Sequence, residues 1–160
     1  MPDAISITPA TPADVPTILA FIRELAEYEK LLDRVTATDQ LLHETLFGAR
    51  PYAEVLMARL DGSPVGYALF FHNYSTFLAR PGVYLEDVYV RPAFRGRGVG
   101  KALLREVARV AQQRNCGRLE WSVLDWNKPS IDFYLSLGAK PLDDWTMYRM
   151  DEAAIAALAK

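Results

Sequence analysis

One cysteine, Cys116, leaves the chain without an internal disulfide, which predicts a fold held by its own core in a reducing compartment. Long apolar runs are missing too. The longest, around Val65 to Phe71, falls far short of the roughly 20 residues that cross a bilayer, so no membrane partner is predicted. The first residues, MPDAISITPATPAD, have neither a basic stretch nor an apolar one, so no export signal is read and a cytoplasmic protein is expected. Without export, the sequon Asn73-Tyr74-Ser75 is a chance match. His43 and His72 lack metal-ligand spacing, and no metal is expected. Charge of one sign is also scarce: 18 Lys and Arg stand against 20 Asp and Glu, a net charge of -2, which argues against a broad surface for nucleic acid or acidic lipid. Repeats and low-complexity linkers are absent.

What is present is apolar and patterned. With 160 residues, 51% of them hydrophobic, the chain is expected to form a single domain over 1–160 with a sizeable core. Residues 5–8 read as a strand. A helix is predicted from Thr11 or Asp14 to about Leu32, its stripe carried by Val15, Ile18, Leu19, Ile22, Leu25 and Ala26. Thr38 opens a shorter helix that Gly48 closes. The runs AEVLMARL and VGYALFFHNY flank Asp61-Gly62-Ser63-Pro64, a hairpin signal, and GVYLEDVYV follows as a third strand. After a Gly-rich segment comes an amphipathic helix with Val99, Ala102, Leu103, Val107, Val110 and Ala111 on one face, stopping at Asn115 to Gly117. RLEWSVL reads as a strand, NKPSIDFYLSL as a helix ended by Gly138, Thr146 to Met150 as a last strand, and DEAAIAALAK as a terminal helix. This order predicts an α/β (α+β) fold, a mixed central sheet flanked by helices.

The Gly-rich segment RPAFRGRGVGKALL carries the chemistry. A Walker A loop ending at Gly100-Lys101 would put Arg95 in place of its first glycine and Ala102 in place of its metal-binding hydroxyl. The dinucleotide fingerprint fails as well, meeting Lys101 or Leu103 where its last glycine belongs. What remains is Arg95-Gly96-Arg97-Gly98-Val99-Gly100 between a strand and a helix. There small residues let backbone approach an anion and the helix's first N–H groups point at it, an arrangement that suits a pyrophosphate without a metal. Two other readings stay open. One is a turn with solvated arginines. The other is a nucleic-acid stripe of Arg91, Arg95, Arg97, Lys101, Arg105 and Arg109, which lacks an aromatic stacking platform and partly coincides with the helix's wet face.

RGRGVG resembles the acetyl-CoA signature Arg/Gln-x-x-Gly-x-Gly/Ala of the GCN5-related N-acetyltransferase (GNAT) superfamily, with Arg95, Gly98 and Gly100 in the defining places. ELAEYEK, YLEDVYV and above all DWNKPSIDFYLSLGA are similar to the diamine N-acetyltransferases that act on spermidine, spermine and thialysine. The likeness runs from Ile5 to about Met150. It implies a GNAT acyl-CoA N-acyltransferase fold, acetyl-CoA as cosubstrate, a small primary amine as acceptor and a homodimer, with apolar interface near Phe70, Phe71 and Tyr74. Matched position by position, it assigns the backbone of Val88, Tyr89 and Val90 to the pantetheine arm. It gives Arg95, Gly96, Arg97, Gly98, Val99, Gly100 and Lys101 to the pyrophosphate, and Asn127 to Ser130 to the coenzyme channel beside the Glu120 to Ser122 strand. Tyr134 matches the general acid and Glu86 the carboxylate near the amine. Tyr28 and Glu29 match residues that touch the polyamine, and Asp144 corresponds loosely to a further acidic substrate position.

The reaction sets a physical demand. An alkyl amine of pKa about 10.4 is neutral only about once in 2,500 at pH 7, a deficit near 4.6 kcal/mol, so a base or a depressed pKa is needed. Glu86 is the candidate base, acting through ordered water. Glu86 and Asp87 are neighbours, so in a regular strand they face opposite ways and only a bulge could turn both toward one site. A strand-edge charge pair is the plain alternative for these carboxylates, and a core position is the plain alternative for Tyr134. At the level of function, protein or peptide N-acetylation and a non-catalytic acyl-CoA-binding module are the competing readings.

Overall fold

Asp61 and Gly62 reverse the chain between the two apolar runs, with φ of 49° and 85°, the backbone of a two-residue type I′ turn. Around this turn grows a five-stranded sheet in sequence order: β1 (Ile5–Pro9), β2 (Glu54–Leu60), β3 (Ser63–Ser75), β4 (Arg80–Val90) and β5 (Leu119–Trp121). The first four strands pair antiparallel, and β5 joins β4 in parallel, so the sheet is mixed as expected. The computed structural model describes residues 4–160, which fall into two compact units, one ending at Ser122 and the other beginning at Val123.

In the first unit, helices cover both faces of the sheet. On one face, α1 (Val15–Tyr28) and α2 (Asp39–Phe47) bury Val15, Ile18, Phe21, Leu42 and Leu46 against Val55, Met57, Tyr67 and Tyr89. On the other lies α3 (Val99–Gln113), whose buried stripe is Val99, Leu103, Leu104, Val107 and Ala111. Each Val, Leu, Ile, Phe or Met side chain among them that is fully removed from water contributes about 1.5–3 kcal/mol, which fixes the helices on the sheet. The tight turn Pro12–Asp14 that leads into α1 is held by the Thr11 backbone N–H, which donates to Asp14 Oδ2 at 2.9 Å. Thr38 Oγ1 caps α2 by accepting from the Leu41 N–H at 3.1 Å.

The second unit holds α4 (Lys128–Ser136) and α5 (Glu152–Leu158). Asn127 caps α4 by accepting from the Ser130 N–H. Gly138, at φ 90°, closes it in a Schellman motif, with the Ala139 N–H donating to the Tyr134 carbonyl and the Gly138 N–H to that of Leu135.

Four expectations are corrected. Thr146 to Met150 forms no strand; its side chains lie exposed, and its unit supplies no second strand whose backbone could complete a ladder. RLEWSVL pairs only over Leu119–Trp121. The first helix stops at Tyr28 instead of Leu32, because Lys30 takes φ 61° and the N–H groups of Lys30 and Leu31 turn back to the Glu27 and Ala26 carbonyls. Phe70, expected near an interface, is buried in the sheet, while Tyr74 is exposed.

No atom lies within 4 Å of where a Cβ on Gly62 would stand, so a side chain there costs only backbone strain. Gly62→Ala is expected to lose about 1–2 kcal/mol. That lowers Tm by a few degrees, about 2–4 °C per kcal/mol at this size, read by thermal denaturation.

Candidate active site

A register shift places the carboxylates. Along β3 and β4, Ala68 pairs with Val88, Leu69 with Asp87, and then Phe70 with Leu85, leaving Glu86 as the extra residue of a β-bulge. Paired residues share a sheet face. Leu85 therefore sits with Phe70 and Val88 with Ala68 on the α3 side, although three positions separate them. Between them, Glu86 and Asp87 both turn to the α1 side, which the regular alternation of a strand forbids. The bulge supplies what the sequence reading required for both carboxylates to serve one site.

The end of α1 meets them there. Its Schellman turn makes Glu29 the C-cap, directly after Tyr28. Burial raises the Glu29 pKa above the usual carboxylate range, and the negative charges of Asp87 and Glu86 raise it further. Asp87 is mostly buried and is also raised, by desolvation, although a hydrogen bond from Tyr67 pulls the other way. Tyr67 is fully buried, and its hydroxyl donates to Asp87 Oδ2 at 2.6 Å. Its own pKa is pushed upward, first by burial and then by Asp87. Glu29 and Asp87 thus lie where burial disfavours their charge, with the Glu86 carboxylate close enough to add to the effect on Glu29.

The strand–helix junction beside this group leaves backbone donors free of side-chain caps. Gly96 and Gly98 have φ of 77° and 86°, and no atom lies within 4 Å of where a Cβ would stand on either. Gly98 is the N-cap of α3, and no side chain caps it, so the first-turn amides of α3 keep their donors for a ligand. On its outer edge β4 pairs with β5 only at Val83, Tyr84 and Leu85. From Glu86 to Val90 no described strand covers that edge, which leaves its backbone groups open to an extended chain.

The arginines divide by role. Arg91 spends its charge on Glu24, with Nε 3.0 Å from Oε1, while its guanidinium lies 4.7 Å from the Phe21 ring centroid. Arg109 pairs with Glu106 at 3.0 Å. Arg95 donates through Nε to the Val90 carbonyl at 2.9 Å and stacks over Tyr28 at 5.2 Å and Tyr89 at 5.9 Å. It therefore joins the junction to the end of α1. Arg97 lies over Phe94, and Lys101 and Arg105 stay exposed. With Arg91 and Arg109 committed to carboxylates, the six-residue basic stripe is interrupted.

Behind β4, the Tyr84 and Ser122 hydroxyls share a hydrogen bond of 2.7 Å, and Glu120 is paired with Arg118 at 2.7 Å. In the second unit, Asn127 is buried, Ser130 half-buried, and Tyr134 half-buried beside Phe133, with ring centroids 5.9 Å apart. The cap and the Schellman turn hold this short helix at both ends. Asp144 lies in the exposed stretch between α4 and α5. Among the described residues, no three His, Cys, Asp or Glu side chains gather as metal ligands. The sequence reading missed Tyr67 and the partnership of Asp87. Their signal is a cross-strand pairing 20 positions apart, which no local pattern carries.

Residues 19–139 match the acetyltransferase (GNAT) family. The chain is 40% identical over 166 residues to the thialysine N-epsilon-acetyltransferase of Bos taurus, covering 97% of both chains. It is 33% identical to the L-ornithine N5-acetyltransferase NATA1 of Arabidopsis thaliana, covering 94% of this chain and 86% of that one. Among solved structures, an integron cassette protein from the mobile metagenome of V. cholerae superposes with a TM-score of 0.82 at 24% identity, over 98% of each chain, and so shares the fold.

The raised Asp87 carries a stability consequence. The folded protein binds this proton more tightly than the unfolded chain does. Stability is therefore lost as pH rises from the unfolded value, about 3.9, through the folded one. Asp87→Asn removes that loss. The variant is expected to unfold at a higher temperature than the parent at pH 7, with the gap closing below about pH 4, as read by paired melts across pH.

Proposed function

The chain belongs to the acetyltransferase (GNAT) family and is an acetyl-CoA-dependent N-acetyltransferase, and we propose that it acetylates the terminal primary amine of a small diamine or amino-acid-like substrate. The observation that carries this reading is the bulge in β4, which turns Glu86 and Asp87 together toward Glu29 and Tyr28. A substrate ammonium group answers the mutual repulsion of those carboxylates. The relatives named for thialysine and L-ornithine act on amino acids with a side-chain amine, a chemistry that fits the same charge.

The uncapped, left-handed glycine junction fits the coenzyme's pyrophosphate. When bound, acetyl-CoA supplies an acyl thioester whose carbonyl carbon accepts an amine. In this reading the amides from Gly96 to Lys101 hold the pyrophosphate, helped by the charges of Arg95 and Arg97. The open backbone edge of Val88, Tyr89 and Val90 aligns the pantetheine arm, and Asn127 and Ser130 line the coenzyme channel. Glu86, exposed at the bulge, takes the ammonium proton through water and frees the nitrogen lone pair. The new C–N bond forms as the C–S bond breaks, the electron pair leaves on sulfur, and the second proton that the nitrogen sheds in becoming an amide neutralises that thiolate. Tyr134 donates its O–H to that sulfur. Phenol at about 10 against thiol at about 8.5 makes full proton transfer uphill by about 2 kcal/mol, so hydrogen bonding suffices. Tyr28, Glu29 and Asp144 serve the amine.

The whole of 1–160 is proposed to work as one acetyltransferase domain, since the family match runs from residue 19 through to 139. Homodimer formation is supported by the exposed Leu142, Trp145, Met147 and Tyr148 and by the fully exposed Phe77, apolar surface that a second copy would cover. A reducing, cytoplasmic setting accords with the single free Cys116. No described helix is long and apolar enough to cross a membrane.

Free-thiol release from acetyl-CoA over a panel of thialysine, ornithine, short diamines, spermidine and peptides tests the reading. Turnover is expected with the small amines, and turnover confined to peptides would replace this reading with protein acetylation. Glu86→Gln is expected to lower turnover about 10²-fold or more and to move the acid limb of the pH profile. Tyr134→Phe is expected to keep coenzyme affinity while lowering kcat. A parental profile in either variant removes that residue from its role.

A further inference from the structure

The layer between α1 and the sheet is apolar around Tyr67, which shares a cluster with Ile18, Phe21, Val55, Met57 and Leu69. The Tyr67 ring stacks on Phe21 with centroids 5.6 Å apart and planes 15° from parallel, a packing that phenylalanine would reproduce. Only the hydroxyl distinguishes the two residues, and it reaches Asp87 Oδ2 at 2.6 Å. A mostly buried carboxylate costs the fold stability, so this pair is a poor device for holding the sheet together. Its position is informative instead. Asp87 stands next to Glu86 at the bulge, on the face where α1 ends in Glu29.

We propose that Tyr67 is a positioning residue for the acetyl-transfer reaction, aiming the Asp87 carboxylate as an anchor for the substrate's ammonium group. The inference rests on the small-amine reading and extends it to two residues with no part in the assignment by resemblance. The groups around Asp87 are Tyr67 from β3, Glu86 from the bulge and Glu29 from the end of α1, joined through Coulombic effects. Further along the same strand, Arg91 and Arg95 act on Tyr89, and Glu24 holds Arg91. The Tyr67 hydrogen bond favours the ionised carboxylate, whereas burial disfavours it. Removing the hydroxyl therefore raises the pH at which Asp87 ionises.

Tyr67→Phe is the test, with kcat and both KM values measured from pH 5 to 9 on the most active amine of the panel. The amine KM at pH 7 is expected to rise roughly tenfold, the scale of a lost hydrogen bond to a charged group. The acid limb of kcat/KM is expected to move to higher pH, with the acetyl-CoA KM unchanged. In an Asp87→Asn background, the same substitution is expected to add no further shift of that limb, since the group it acts on is gone. A structural role alone would lower the melting temperature and leave the acid limb in place, which would overturn the proposal. A readout on the parent protein does not depend on the variant folding. The 13C carboxyl resonance of Asp87 is expected to titrate at lower pH once the amine is added, and an unmoved titration overturns the assignment. If the parent acetylates no small amine, the substrate reading falls and takes the anchor with it. If it does and the Tyr67→Phe profile matches the parent, only the role of Tyr67 falls.

Discussion

A single extra residue in β4 decides which face of the sheet its two adjacent carboxylates share. Opposite Leu69 and Phe70, β4 supplies Leu85, Glu86 and Asp87, three residues against two. An unbroken ladder would leave one of the two carboxylates pointing at α3, into a layer of Val99, Leu103 and Val107 where a charge finds no partner. The bulge turns both toward the end of α1. There a carboxylate at a helix C-terminus, Glu29, completes a group whose charges repel one another and whose local dipole is also unfavourable. Such an arrangement costs the fold stability, and the proposed substrate ammonium would offset that cost, the usual trade between stability and function.

The glycine junction follows the opposite electrostatic logic with equally little material. Two glycines in left-handed backbone and a helix start without a side-chain cap leave amide donors directed outward. Arg95 connects the two sides, bonded to the Val90 carbonyl and lying over the Tyr28 ring. The glycine junction and the carboxylate-bearing helix end are therefore neighbours through one guanidinium.

The second unit carries its candidate tyrosine on a two-turn helix locked by Asn127 at the start and Gly138 at the end. Short helices are unstable alone, so these caps matter more here than on α1 or α3. The stretch after that helix is exposed and rich in large apolar side chains without being a strand. Its local composition suits a strand, but a strand also needs a neighbour, and none is present in its unit.

Much of the molecule was determined by the sequence alone. Periods of two and of 3.6 marked the first four strands and α1 to α3, Asp61-Gly62 marked the hairpin, and RGRGVG with WNKPSIDFY marked the family and its coenzyme. These are local signals, written in spacing and turn chemistry within a few residues. The tertiary structure decided the rest. Which way Asp87 faces depends on a register between strands, and its bond to Tyr67 spans 20 positions of chain. Phe70 is buried because α3 covers its face, and α1 ends early because Lys30 adopts a left-handed turn. Pairing across strands and burial between layers are set by the whole fold at once, so no short window of sequence can hold them.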